Sequence, residues 1–195
     1  MEEDRLEKTL AISASILSSM DIDTIIRKVV DSVTDEFGFE ACDVFILDEE
    51  HDNFAVRATK GYPQALSERI SGLALSRQSV EKNLKESKKL GKFTYLYMAN
   101  QESNAAEYYG ILHPERVGDK RVHPDDWHEL DVLQVVFEDG DGQILGFMEP
   151  DGPRSRKVPG PSLVKNLETF AELVSIAVTN AKLVGALNRT VKLFR

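Results

Sequence analysis

Between residues 25 and 37 the apolar side chains fall at Ile25, Ile26, Val29, Val30, Val33 and Phe37, the spacing of a single helix face. At Gly38 that period stops. Residues 42–48 (CDVFILD) form a β-branched and aromatic run, and 54–60 (FAVRATK) form another, with the turn-like EEHDN between them. This switch of hydrophobic period constrains the fold more than any other feature. A helix that can be capped by Asp21 or Asp23 and stopped by Gly38 must hand the chain directly to a hairpin, whose sheet then covers the helix stripe.

The pattern recurs in reverse near the other end. Residues 130–138 (LDVLQVVFE) and 143–149 (QILGFME) flank Asp139-Gly140-Asp141-Gly142, a hairpin signal. A loop rich in proline over 150–161 leads to a helix over 162–195, in which Gly185 is the only glycine. At the front, 4–20 reads as a helix with Leu6, Leu10, Leu17 and Met20 near one face. The middle is harder to read. It gives a short helix over 63–70 opened by Pro63, a helix over 77–90 with Val80 and Leu84 one turn apart, and a strand over 93–98. Asn104 and Glu107 have capping-box spacing for a brief helix over 103–110, and 113–126 is loop-like. No internal repeat appears. Helices outside, hairpins inside and a mixed middle define an α+β fold with an antiparallel sheet.

At 195 residues the chain is long enough for one core and some surplus helix. Its longest apolar run, 95–99, is far short of the roughly 20 residues that span a bilayer, and its acidic start does not read as an export signal. No membrane contact and a cytoplasmic location are therefore expected. Cys42 is the single cysteine, which excludes an internal disulfide and a cysteine-rich zinc site. A net charge of −9 argues against nucleic acid as a partner. The charge is segregated. Residues 35–52 and 125–141 hold Asp and Glu but no Lys or Arg, whereas 77–92 is predominantly basic and could face an anionic ligand or an acidic partner.

Three segments resemble GAF domains, a family of sensory modules related in architecture to PAS domains. They are the helix-to-strand passage LSSMDIDTIIRKVVDSVTDEFGFEACDVFILDEE, the strand closed by Gly61-Tyr62-Pro63, and the strand–DG–strand hairpin. The last leads into a helix carrying Phe170-Ala171, Ile176-Ala177-Val178 and Asn180-Ala181-Lys182-Leu183. The resemblance covers 10–70 and 130–184 and fades in the middle. It implies a six-stranded antiparallel sheet with the N- and C-terminal helices on one face and a ligand pocket, roofed by the middle third, on the other. It also implies a GAF-like unit over 10–184, with helix extensions at 1–9 and 185–195, upstream of a histidine kinase or other output domain.

Chemistry known in the family does not transfer readily. Members that attach a bilin use a Cys followed by His, but Asp43 follows Cys42; members that reduce free methionine sulfoxide need a second cysteine. The cyclic-nucleotide signature is absent from the sequence. Among His51, His113, His123 and His128, no pair has metal-ligand spacing, and His128 is the one placed to reach a pocket.

Aromatic residues concentrate where the resemblance fades: Tyr95, Tyr97, Tyr108, Tyr109 and Trp127. An aromatic body with a polar tip suits a pocket wall, and equally a covered sheet. Either Phe45 with Leu47 or Leu133, Val135 and Phe137 should floor the pocket, since each set shares one strand face. The candidate ligand-binding residues are thus Phe45, Tyr95, Tyr97, Tyr108, Tyr109, Trp127, His128 and Phe137, with the ligand and any cofactor undetermined. The last helix offers a heptad seam for a homodimer, Leu167, Val174, Ala181 and Asn188 alternating with Phe170, Ala177, Val184 and Val191. The expectation is a non-catalytic sensor. Two alternatives stand beside it: a structural dimerisation domain without ligand, and a small enzyme using His128 and a tyrosine.

Overall fold

The computed structural model describes residues 14–19, 21–100, 103–105 and 108–193, and of 188–193 the backbone alone. A helical turn at 14–17 precedes α1 (Ile22–Asp35). There follow β1 (Phe39–Asp48), β2 (Asn53–Lys60), α2 (Gln64–Ser71), β3 (Ala74–Ser76) and α3 (Arg77–Glu86). Then come β4 (Lys88–Lys89), β5 (Thr94–Tyr97), a 3-10 turn at Pro114–Arg116, β6 (Val132–Glu138), β7 (Ile144–Pro153) and α4 (Pro161–Leu193). The expected extension over 1–9, with Leu6, and the positions of Leu10 and Met20 lie outside the described residues.

One antiparallel sheet of seven strands runs in the order β3-β2-β1-β7-β6-β5-β4. The two hairpins read from sequence are its middle, joined where β1 pairs β7, with Phe45 opposite Phe147 and Asp43 opposite Glu149. Six strands were expected; the seventh arises because the sheet is closed at each edge by very short strands, β3 and β4. Short edges of this kind limit unwanted pairing with other chains. The α+β architecture is as the sequence implies.

The first helix forms as its pattern dictates. Asp21 caps it, accepting from the Thr24 amide at 2.8 Å, and Gly38 ends it at φ +81. Arg154 then holds the exit, its amide donating to the Gly38 carbonyl and its guanidinium to that of Thr34. Strand β1 is buried on both faces, which explains its nearly unbroken apolar run.

Its even-numbered residues, Cys42, Val44 and Ile46, face a core built with Val29, Val33, Phe37, Phe170 and Val174 of α1, the turn that follows it, and α4. Its odd-numbered residues, Phe45 and Leu47, join Phe54, Val80, Val136 and Phe147 on the other face. There Phe45 and Phe147 stack at 4.7 Å between ring centroids. The sheet therefore separates a helix core from a second apolar layer.

Several expectations are corrected. Ile16 enters the helix core while Leu17 points outward, so the first helix face is rotated from the one read in sequence. Helix α3 stops at Glu86 and the chain turns into β4. Neither 103–104 nor 108–110 is helical. Strand β7 continues to Pro153, into what was read as a loop. Its register with β6 ends at Met148, so Pro150 and Pro153 pair on the β1 side only, where a missing amide is tolerated.

The largest correction concerns α4. Leu167, Phe170, Val174, Ala177 and Ala181, the expected dimer seam, are buried in the helix core of their own chain. Their stripe finds the sheet before it can find a partner. Val184 is half-buried, and the side chains of Asn188 and Val191 lie outside those described. Residues Pro161–Leu187 are long and apolar enough to cross a membrane by length and composition. One apolar face of this stretch packs in the core, while Ile176, Leu183 and Leu187 are exposed.

Candidate functional site

A cavity of about 480 Å³ lies over the face of the sheet opposite α1 and α4. Its floor comes from β5, β6 and β7, through Tyr97, Gln134, Glu149 and Asp151. Helix α3 supplies one wall with Lys82, Asn83 and Glu86, while Tyr62, Tyr108 and Tyr109 close over it. Tyr62 is delivered by Gly61, which takes φ +88 and passes so close to β1 that a Cβ would collide with the Glu40 carbonyl oxygen.

A buried ion pair ties together the roof between β5 and β6. Arg121 makes a bidentate contact with Asp131, at 2.7 and 3.0 Å, and Asp131 is fully buried. Asp131 also accepts from the amides of Ala99 and His128, both at 2.9 Å, while Arg121 donates to the Asp126 carbonyl. Three separate stretches of the roof thus meet at one carboxylate.

The floor is acidic. Asp43 on β1 and Glu149 on β7 are cross-strand neighbours on the cavity side of the sheet, and both are buried. Glu149 accepts from the Gln134 amide at 2.7 Å; neither oxygen of Asp43 has a partner. Burial, and then the other carboxyls, push both acids well above the usual carboxylate range. Loss of water raises Asp151 to about 7, although the Gly152 amide pulls it back. Tyr62 is raised by the same burial, and Tyr108 reaches about 12. Glu129 is pushed up by burial, partly offset by His113 and Arg116. One Glu129 carboxylate oxygen has no partner, nor has the Tyr109 hydroxyl.

Of the residues proposed from sequence, Tyr97, Tyr108 and Tyr109 line the cavity. Phe45 lies one layer beneath, its ring 6.1 Å from that of Tyr109, and Tyr95 packs on the same apolar layer under Lys89. Trp127 packs with the helix core, and Phe137 faces α1 and α4 because β6 gives its odd positions to the helices. That decides between the two candidate floors: Phe45 and Leu47 lie on the cavity side. His128 is half-exposed, and its Nδ1 accepts from the Leu130 amide at 3.1 Å, so it serves the local turn. In the basic segment, Lys82 reaches the cavity wall and sits 3.8 Å from Glu86.

Sequence reading missed Tyr62, Glu129, Asp131, Gln134, Glu149 and Asp151. The available signal was parity. Once Phe147 faces the cavity, Glu149 and Asp151 must do so too, provided β7 is carried through Pro150.

Cys42 stands on the opposite face of β1, buried in the helix core, and burial pushes its thiol up. Among the described residues no group of three His, Cys, Asp or Glu side chains could hold a metal ion.

A twisted antiparallel sheet with terminal helices on one face and a roofed cavity on the other defines a GAF/PAS-like fold. Solved structures narrow this to the GAF fold. The GAF domain of an Acinetobacter phosphoenolpyruvate-protein phosphotransferase superposes with TM-score 0.61 at 17% identity, covering 94% of this chain and 98% of that one. Residues 122 to 287 of a methyl-accepting chemotaxis protein match with TM-score 0.58 and 19% identity, over 89% and 98%. A free methionine-R-sulfoxide reductase from Neisseria meningitidis matches with TM-score 0.57 and 13% identity, over 92% and 91%. No family model and no curated protein sequence matches. At these identities the likeness carries the fold alone, a fold shared by a domain of a phosphotransferase, a chemotaxis-protein segment and a reductase.

Proposed function

We propose that this chain is a non-catalytic sensory module of a signalling protein, which binds a small ligand in the cavity over the sheet and conveys occupancy through its terminal helices. The observation that carries this reading is the division made by the sheet: a polar cavity with unpartnered groups on one face, and α1 and α4 packed on the other. Unpartnered buried groups argue against a collapsed, purely structural pocket, since they cost stability unless something binds them. The placement of Cys42 and His128 away from the cavity supports a module without catalysis. Likeness to a chemotaxis-protein segment supports an output partner, of which a histidine kinase is one kind.

In this reading ligand binding shifts a two-state equilibrium in the roof, and the shift is felt in α4 through the sheet. A homodimer remains part of it, through a different face of α4. Leu173, Ile176, Asn180, Leu183 and Leu187 follow each other by three and four residues along the side turned away from the core; Ile176, Leu183 and Leu187 are 50%, 64% and 63% exposed. That is heptad spacing, and Asn180 at a seam position would fix the register of two copies. A cytoplasmic location belongs to the same proposal, supported by the packing of Leu167, Phe170, Val174, Ala177 and Ala181 of α4 in the chain's own core.

Native mass spectrometry of the purified chain, before and after incubation with a small-molecule extract, tests the reading. A stoichiometric low-mass adduct lost on denaturation is expected. A chain that stays bare in both samples would count against sensing.

A further inference from the structure

We propose that Glu168 of α4 carries cavity occupancy to that helix, by tying it to the cavity wall that stands at the edge of the sheet. This rests on the sensory reading of the same cavity and names the contact through which it signals.

That wall is one continuous piece of chain. Helix α3 lines the cavity with Lys82 and Asn83, and Ser87, which caps its end, lines it too. The chain then runs through β4 into β5, whose last residue, Tyr97, belongs to the floor. Strand β4 is the last in the sheet and pairs only with β5, Lys88 opposite Leu96 and Lys89 opposite Tyr95. A wall held by so few ladder bonds is the part of the cavity that moves at least cost.

The start of β5 is fixed to α4. The Phe93 amide donates to Glu168 Oε1 at 2.6 Å, and the Thr94 hydroxyl donates to the same oxygen at 3.1 Å. Thr94 is fully buried and Phe93 is 8% exposed, so one carboxylate satisfies two donors at a buried strand end. Gly91, in the turn between β4 and β5, makes room for it: a Cβ there would stand 2.3 Å from Glu168 Oε1. Among the described residues, Lys182 is the other α4 side chain hydrogen-bonded to the sheet side, and it reaches Glu49 in the β1–β2 turn, which does not line the cavity. Glu172, one turn beyond Glu168, lies 4.0 Å from Lys92, but both are exposed and such a pair carries little. Elsewhere α4 meets the sheet through apolar side chains, whose packing is non-directional. Two hydrogen bonds to one carboxylate instead fix where β5 stands against the helix. From Thr94 to Tyr97 is about 10 Å of strand, so an occupant that displaces the wall pulls on Glu168.

A tethered occupant supplies the test. Asn83→Cys places a thiol on the cavity wall for alkylation by N-phenylmaleimide, and Cys42, buried in the helix core, does not compete. Amide hydrogen exchange is compared before and after alkylation in this chain and in four further variants of it. Alkylation should change exchange around Tyr97 and, from Glu168 onward, in α4 by roughly twofold or more. Glu168→Ala should abolish the change in α4 and leave the one around Tyr97. Glu168→Gln keeps the accepting oxygen and should retain both. Gly91→Ala pushes the carboxylate aside at the end of a flexible side chain; it should act as Glu168→Ala does, and it replaces that variant if Glu168→Ala fails to fold. Glu172→Ala should respond as the parent does. A purely structural Glu168 would lower Tm in Glu168→Ala without removing the response.

An α4 response that survives Glu168→Ala, or Gly91→Ala in its place, would overturn the assignment to Glu168 and leave sensing in place. A response lost equally in Glu172→Ala would also overturn it. So would an α4 that ignores alkylation in the Asn83→Cys chain itself, while a stoichiometric adduct from the extract would still show that the cavity binds.

Discussion

Replacing Arg121 with methionine removes the charge that Asp131 was buried against, while keeping most of the side-chain volume. Asp131 has no exposed side-chain surface, and Arg121 is 18% exposed. Breaking a buried pair by deleting one partner costs about 3–5 kcal/mol. Two features put this case at the lower end. The amides of Ala99 and His128 continue to donate to Asp131, and the arginine already reached water at one edge. The expected loss is about 3 kcal/mol, or roughly 6–12 °C in Tm for a chain of this size. Asp131→Asn should cost less, about 1–2 kcal/mol, because Arg121 can turn towards solvent. Urea denaturation of both single variants and the double variant measures the coupling, which should exceed 1 kcal/mol. Hydrogen exchange should locate the damage between Ala99 and Asp131. A loss below 1 kcal/mol for Arg121→Met, or strict additivity, would refute the idea that this pair anchors the roof.

The remaining expectations concern pH and assembly. Asp151 titrates at about 7 in the fold and near 3.8 when unfolded, so the native state holds the extra proton in between. Stability of the unliganded chain should therefore fall as pH rises from about 4 to 7, by up to about 4 kcal/mol from this group alone. Asp43 and Glu149 act with the same sign, and Asp151→Asn should flatten the curve measured by urea titration. On α4, Leu183→Glu with Leu187→Glu should convert a dimer at tens of micromolar to a folded monomer by light scattering. Ala177→Glu, inside the core, should instead unfold the chain. A parent chain that is already monomeric would sink the corrected seam.

What could be read from sequence divides along physical lines. The helix stripe ending at Gly38 and the two hairpins were legible because each is a local pattern that one element satisfies by itself. The heptads of α4 were legible as a helix but misassigned, since a stripe facing its own sheet and one facing a second chain have the same period. Only burial separates Val174 from Ile176. Phe137 was misplaced for a related reason: parity groups the residues of a strand without saying which group meets the helices. Glu149 and Asp151 were lost because Pro150 reads as a strand breaker, and its tolerance depends on β6 having ended beside it. Asp43 carries no local signal at all. Its lack of a partner is a property of the sheet register that sets it opposite Glu149.

Sensing requires that an event in the cavity be felt in α4, on the far side of the sheet. Amide hydrogen exchange of the chain before and after it is loaded from the small-molecule extract measures this directly. The expected result is protection around Tyr62, 108–134 and 149–151, together with a changed exchange rate in α4 beyond Ala181. Protection confined to the cavity, with α4 exchanging as before, would mean that the domain binds without signalling and would contradict the proposed function.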